Sequence, residues 1–414
     1  MGAWFELGSC PISFRAALLA MASCGGQVLD LGRSATADSG ALLEEPRYAT
    51  RDVLTREPAA GSGVPTVMAT HQYGGRTLAI DAKRIYWTTV GPRSSAAQPG
   101  SEAPSLETPE TTLRSCEKED CAGTWITYWK HRSSFARAAY AYVPAIAVNS
   151  THVFWTRETE SGAANLGRIF FIESCPIEGC GKEGVTLINS SEAPFSLAVD
   201  DTHVYWLSAD ATLLRCPVTG CEQSVPDLLA RLETPVGFSH MFSIDATDVF
   251  WARTAGDDTA RLVALDKEGL GKVRAIAEGV ASPQALAVDG DNVYWTEKGS
   301  VKTCPRSGCG TNHGILVDRA GYAALLAVQG EQAYWFSSSK VWFLNEQPTT
   351  TADLLECSRH GCGSAPSVLV TEGAAPGAIA VDETHVYWRA YGERKSLQEL
   401  QYFDGAVLRI KRRF

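Results

Sequence analysis

Nine residues constrain this chain more than any other feature. The stretch Ala198-Val199-Asp200-Asp201-Thr202-His203-Val204-Tyr205-Trp206 occurs in seven variants along 414 residues. The copies end at Trp87, Trp155, Trp206, Trp251, Trp295, Trp335 and Trp388. Repetition at this period marks a solenoid, a propeller or an array. No repeat carries a useful length of 3.6-residue apolar periodicity, which excludes helical solenoids.

Each copy reads as two short strands around a tight turn. Asp200 ends the first strand, and an Asp there bonds its own backbone two residues on, starting the turn. Val204-Tyr205-Trp206 opens the second strand. Neighbouring Tyr and Trp point to opposite faces of a strand, so both faces need burial. Blades packed around an axis supply that. The expectation is an all-β, seven-bladed β-propeller of four-stranded antiparallel blades.

Within the repeats, IYWT at 85–88, VFWT at 153–156 and VYWT at 293–296 each follow an A-[IV]-[DN] strand. These runs resemble the YWTD-type β-propeller of low-density-lipoprotein receptors and its bacterial relatives, over residues 64–414. The chain departs from that family in having seven repeats, not six, and no Asp after the Thr. The resemblance implies the fold; it does not carry receptor function across.

The chain order adds three segments. Residues 1–23 hold Arg15, a short apolar run and Met21-Ala22-Ser23-Cys24, which resembles a bacterial lipoprotein signal with Cys24 as the lipidation site. The run is too short to span a bilayer. Residues 24–63, rich in Gly, Ala, Ser and charge, read as a flexible tether. Residues 64–414 hold the repeats. The last repeat ends after only three strands, and Val64–Thr70 is the candidate for its fourth. An N-terminal strand pairing with Val407–Lys411 would close the ring and remove sheet edges.

Twelve cysteines are present. Apart from Cys10 and Cys24 they form five C-x4-C pairs: Cys116/Cys121, Cys175/Cys180, Cys216/Cys221, Cys304/Cys309 and Cys357/Cys362. Each is expected to staple the hairpin between a blade's third and fourth strands, contributing about 2 kcal/mol. The residue before the second Cys is Gly179, Gly220, Gly308, Gly361 or Asp120, types that tolerate the left-handed turn conformation. Zinc is the rival for such spacing. The fourth repeat argues against it, because Leu265 and Leu270 replace both cysteines together, and half a metal site has no use. The bonds imply export to an oxidising compartment.

No GxSxG, HExxH, P-loop or GxGxxG-after-strand motif is present. His152, His203 and His385 share one turn slot and read as structural. The acidic residues are too dispersed for a calcium site, and no cofactor or metal is expected. A net charge of −10 disfavours nucleic acid.

Two sets of candidate site residues remain. The loops between second and third strands are short in repeats three, four and five. They are long in repeat one (89–112), two (Glu158–Leu166), six (Ser337–Asp353) and seven (Tyr391–Asp404). These four repeats are consecutive once the ring closes, so their loops crowd one arc of one face. Trp342, Phe343, Tyr391, Arg394, Lys395, Tyr402 and Phe403 supply aromatic and cationic groups typical of binding hot spots. A further insertion, 122–141, contains the fourth strand of repeat one near Trp125–Trp129. The second set precedes each first strand, where the chain crosses the channel mouth. Arg76, His240 and Gln284 are polar there, with Tyr73, Tyr142 and Tyr322 nearby. The expected function is non-enzymatic: a monomeric binding or scaffold propeller of the cell envelope, recognising a protein or glycan and reaching the membrane through its lipid anchor. The alternative is a channel-mouth enzyme of the lactonase or lyase type.

Overall fold

A computed structural model describes residues 63–413 apart from 73–76, 91–109, 133–144, 161–167, 182–183, 222–224, 233–240, 255–258, 270, 298, 339–350, 375 and 391–404. The expected signal, Cys24 and the tether up to residue 62 lie outside the described residues. So do all seven ligand-face candidates.

The described residues form seven four-stranded antiparallel sheets and no helix. Blade one runs from Leu78 to Arg132, blade two from Ile146 to Ser190 and blade three from Pro194 to Arg231. Blade four runs from Phe242 to Ala281, blade five from Pro283 to Val317 and blade six from Tyr322 to Ala374. Blade seven takes three strands from Pro376 to Lys411 and its fourth, Thr66–Ala69, from the other end of the chain. Thr66 pairs with Arg409 and Val67 with Leu408, as the short last repeat requires. The first strands of successive blades lie side by side around the axis, and blade one's also lies beside blade seven's.

The Tyr-Trp pair explains the packing. Seven separate cores fill the seven joints between blades, and each combines the Tyr or Phe of one blade with the Trp of the next. Tyr86 packs with Trp155, Phe154 with Trp206, Tyr205 with Trp251 and Phe250 with Trp295. Tyr294 packs with Trp335 and Tyr334 with Trp388; Tyr387 closes the series with Trp87. All of these rings are buried. Two adjacent residues on one strand thus join a blade to both neighbours, each buried aromatic contributing about 2–3 kcal/mol.

The turn chemistry is as expected. Asp200 Oδ1 accepts from the backbone N–H of Thr202 and of His203, both at 2.8 Å. Asp81, Asn149, Asp245 and Asp382 repeat the arrangement. The Asp residues also take the Tyr hydroxyl five positions on: Tyr86 to Asp81, Tyr205 to Asp200 and Tyr387 to Asp382.

All five C-x4-C pairs are disulfides: Cys116–Cys121, Cys175–Cys180, Cys216–Cys221, Cys304–Cys309 and Cys357–Cys362, with Cα–Cα distances of 4.8–5.9 Å. Their placement is the expected one, in the hairpin between the third and fourth strands of each blade. The first cysteine of each pair is on the third strand, but Cys121, Cys180, Cys221, Cys309 and Cys362 all precede the fourth strand. Each bond therefore closes the turn onto the end of the third strand and does not bridge two strands. The physical reason is reach: a partner five positions away is still inside the turn, because the fourth strand starts later, at Ile126 after Cys121 and at Val185 after Cys180.

Gly179, Gly220, Gly308 and Gly361 adopt φ of +98° to +107°. Asp120, before Cys121, does not share that conformation. Its carboxylate instead accepts from Gly123 N–H at 3.3 Å and its carbonyl from the Thr124 hydroxyl, so the first hairpin is held by side-chain bonds. The hairpins also touch the preceding blade. The N–H groups of Cys221, Cys309 and Cys362 donate to Leu187, Ile276 and Leu316, on its outer strand. Cys180 and Cys121 meet that blade through other atoms. Cys180 Sγ lies 3.8 Å from the Tyr128 carbonyl, and Cys121 is buried in the core that Tyr387 shares with Trp87. In blade four, Leu265 is buried in place of the cysteine, while Leu270 lies outside the described residues.

Two boundaries differ from the sequence reading. The insertion placed at Glu158–Leu166 begins inside the second strand, which runs His152–Glu160, and the third runs Arg168–Pro176. The fourth strand of blade one is Ile126–Arg132, beginning after Trp125.

Candidate binding face

Antiparallel strands put the loops between second and third strands on one face and the motif turns and disulfide hairpins on the other. On the loop face the described strands stop at Val90, Glu160, Ser338 and Ala390, and resume at Glu110, Arg168, Thr351 and Ala406. In blades three to five the same breaks are short: Ser208 to Thr212, Thr254 to Thr259 and Glu297 to Ser300.

The described part of this arc is clearest over the joint between blades one and two. Arg157 stands opposite Phe171 in register, on the face that Trp155 buries against blade one. Its guanidinium lies 4.1 Å from the Phe171 ring centre. Nε and Nη2 donate to Glu173 Oε1 at 2.9 and 2.6 Å. Glu173 is buried, so this pair fixes the guanidinium plane. Across the joint Trp129 stacks on His131, centroids 5.6 Å apart and planes 11° apart. Burial, then the charge of Arg157, holds the His131 pKa below its ordinary value, keeping the imidazole neutral at pH 7. The patch therefore offers two aromatic rings, one cation fixed by the buried Glu173 carboxylate, and a neutral imidazole. Arg157, Phe171 and Glu173 were not singled out from the sequence. Their only signal is an aromatic-and-charge pattern on the long hairpin of blade two.

The channel-mouth set falls differently from the sequence reading. Arg76, His240, Tyr73 and Tyr142 lie outside the described residues. Gln284 and Tyr322 belong to first strands rather than to loops crossing the mouth. In blades three, five and seven the slot is a β-bulge: the register shifts between Pro194 and Ser196, Pro283 and Ala285, and Pro376 and Ala378. The bulged residues are Phe195, Gln284 and Gly377. Bulges re-aim side chains at the rims of sheets. Phe195 is exposed, and the Gln284 amide donates to the Ser282 carbonyl at 3.0 Å. Glu297 is buried just below, accepting from the Trp295 indole and the Ala281 N–H and pairing with Lys302. These contacts are structural ones. Among the described residues no three His, Cys, Asp or Glu side chains gather as metal ligands.

No family model and no curated protein matches the chain, so the likeness to YWTD-type repeats rests on the motif alone. Solved structures share the fold. The WD40 repeats of RRP9 match at a TM-score of 0.52 with 12% identity, covering 86% of this chain and 99% of that one. The β-propeller domain of the Trilobed protease from Pyrococcus furiosus matches at 0.51 with 9% identity, covering 82% and 97%. That domain is described as having an open velcro topology. Here the N-terminal strand pairs with the last blade.

Proposed function

We propose that this protein is a binding propeller that uses its loop face as the recognition surface. The observation that carries the reading is the asymmetry of that face. Four blades that are consecutive in the closed ring interrupt their second-to-third-strand hairpins, and three keep them short. Long loops on a rigid scaffold are where binding concentrates. The Arg157–Glu173–Phe171 cluster with Trp129 and His131 supports the same arc, because fixed cations and aromatic rings dominate hot spots. Trp342, Phe343, Tyr391, Arg394, Lys395, Tyr402 and Phe403 complete the surface in this reading. The ligand is a protein or glycan of the cell envelope. The protein acts as an exported monomer tethered through Cys24, a location the five disulfides support.

The test replaces the loops of blades six and seven with the short turn of blade three in the full chain. Binding to envelope extract is compared with that of the native chain. The expected result is an unchanged melting temperature and loss of the captured ligand. Full retention of binding by the folded variant sinks the reading.

A further inference from the structure

The Arg157–Glu173 pair has a counterpart in blade five, and the two differ in what they leave open. Trp155 stands opposite Glu173 and Trp295 opposite Lys302, with Arg157 and Glu297 two positions beyond each Trp. The charges are exchanged. In blade five the residue beyond the Trp is closed in: Glu297 is 4% exposed and is taken up by Lys302, the Trp295 indole and the Ala281 N–H. In blade two that residue is Arg157, whose side chain is 22% exposed. Either polarity holds a blade together, so packing does not account for the exposed cation.

The bonds of Arg157 leave one edge of the guanidinium unused. Nε and Nη2, its side edge, both donate to Glu173 Oε1. Phe171 covers one face, 4.1 Å from its ring centre. Nη1 has no partner among the described residues and is not closed off from solvent. The edge formed by Nη1 and the second Nη2 hydrogen is one that takes a carboxylate through two parallel bonds. His131 is exposed on the facing wall of the same joint. It pairs with Thr111 as Trp129 pairs with Leu113, and Leu113 lies in the core that Trp155 enters from blade two. The His131 ring stacks on Trp129 and has no hydrogen-bond partner among the described residues. Besides burial, the charge of Arg157 depresses the His131 pKa, and no raising contribution from Glu173 opposes it. The buried carboxylate therefore does not cancel the cation at this end of the joint.

We propose that Arg157 and His131 form a carboxylate site for an acidic side chain of a partner protein, the acid seated on the Nη1–Nη2 edge of Arg157 and facing His131. The proposal rests on the loop-face reading and supplies the chemistry of one part of that surface. Phe171 and Ile169 are half-buried on the same side of the blade-two hairpin as Arg157, so apolar neighbours of the acid find contact there. A singly charged group fits better than a phosphate, because Glu173 already balances part of the Arg157 charge. A sugar acid fits less well, since its hydroxyls need acceptors and Glu173 Oε1 already takes two bonds. Glu173 and Phe171 hold the guanidinium in place before any ligand arrives, which lowers the ordering cost of binding.

Saturation-transfer NMR on the full chain tests it, with the peptide acetyl-Phe-Asp-Phe-amide as probe. The controls are the same peptide with Asn or phosphoserine in place of Asp, and glucuronate. The native chain is expected to bind the Asp peptide, to bind each control about tenfold more weakly, and to show its His131 ring signals moving as the Asp peptide is added. Arg157→Lys keeps a charge beside Glu173 but loses the fork, and should weaken binding about tenfold. His131→Glu changes an exposed position and should abolish binding, so it decides alone if the first variant fails to fold. No binding of the Asp peptide, equal binding of the Asn peptide, tighter binding of the phosphopeptide or glucuronate, unmoved His131 signals, or full affinity in folded His131→Glu would each overturn the proposal. Such a failure leaves the loop-replacement result standing, because that test reads capture of the envelope ligand through blades six and seven.

Discussion

The joint between blades two and three and the joint between blades three and four occupy the same place in the repeat with opposite chemistry. In the second, Lys267 reaches back one blade. Its ammonium bonds Asp200 Oδ2 at 2.7 Å and lies 5.2 Å from the centre of the Tyr205 ring. In the first, the position of the Lys is Val218, that of the Tyr is Phe154 and that of the Asp is Asn149. Val218 simply packs against the core that holds Phe154. The whole triad has changed together, cation, hydroxyl and carboxylate. The ionic form recurs at the ring seam, where Lys118 bonds Asp382 at 2.7 Å above Tyr387. Arg306 over Phe250 and Arg412 over Tyr334 are variants of it. The lesson is that geometry, not charge, is what a joint requires. An apolar set of similar volume can replace a desolvated ion pair at little cost, while removing one charge of an existing pair is costly.

That comparison breaks most severely at the seam, where the joint also holds the ring shut. Arg389 is fully buried and donates to the carbonyls of Thr88 and Gln72, at 2.5 and 2.7 Å. Gln72 in turn binds the Trp87 indole and, through its N–H, the Gly405 carbonyl. A Cβ on Gly405 would overlap the Gln72 carbonyl. Gly405→Val is therefore expected to cause the largest loss, replacing a single calorimetric transition with a broad one of much lower midpoint. Removing residues 1–60 should leave the transition where it is, and removing 1–72 should match Gly405→Val.

Next in size is Val218→Lys, which places a cation against Phe154 and Asn149 with no acid to meet it. A loss of about 3 kcal/mol is expected in urea denaturation. Adding Asn149→Asp and Phe154→Tyr should restore most of it. If the triple variant is no better than the single one, the two joints are not interchangeable.

Lys267→Met should cost about 2 kcal/mol, less than a fully buried pair because the Asp200 side chain is still 27% exposed. Combined with Asp200→Asn and Tyr205→Phe, it should return to within about 1 kcal/mol of native. The smallest effect is in pH. Burial opposes ionisation of Asp200, but the Lys267 bond and the Thr202 and His203 N–H groups outweigh it, holding its pKa well below the carboxylate range. A depressed acid contributes stability above its unfolded pKa of about 3.9 and loses it as pH falls through the folded value. The advantage of the native chain over Asp200→Asn should thus be full at pH 6 and shrink steadily below about pH 4.

These joints also show what a sequence exposes and what it hides. The Tyr-Trp pair was legible because alternation along one strand demands two buried faces without reference to any partner. The closing strand was legible because the last repeat came up one strand short. The disulfides were legible because each pair sits inside one repeat, although the start of the fourth strand beyond Cys121 and Cys180 was not. The Lys118–Asp382 pair was hidden, since its members are 264 positions apart and become neighbours only when the ring closes. Lys267 and Asp200, 67 apart, become readable only when each repeat is laid against the one before it. The Arg157 cluster escaped notice for a related reason: its Trp129 and His131 come from the neighbouring blade. The bulges at Phe195, Gln284 and Gly377 look like loop residues because a bulge interrupts the alternation that identifies a strand.

The local spacing of the disulfides has a consequence for how the chain matures. Ten thiols admit on the order of a thousand complete pairings, and wrong ones ordinarily have to be undone by slow reshuffling. Here every partner lies five positions away. Each bond can form as soon as its own turn emerges, before any other blade exists, and no later segment competes for it. Oxidation is then expected to keep pace with chain emergence without an isomerase. The last event in maturation is the meeting of the two chain ends, which must wait for the final strand.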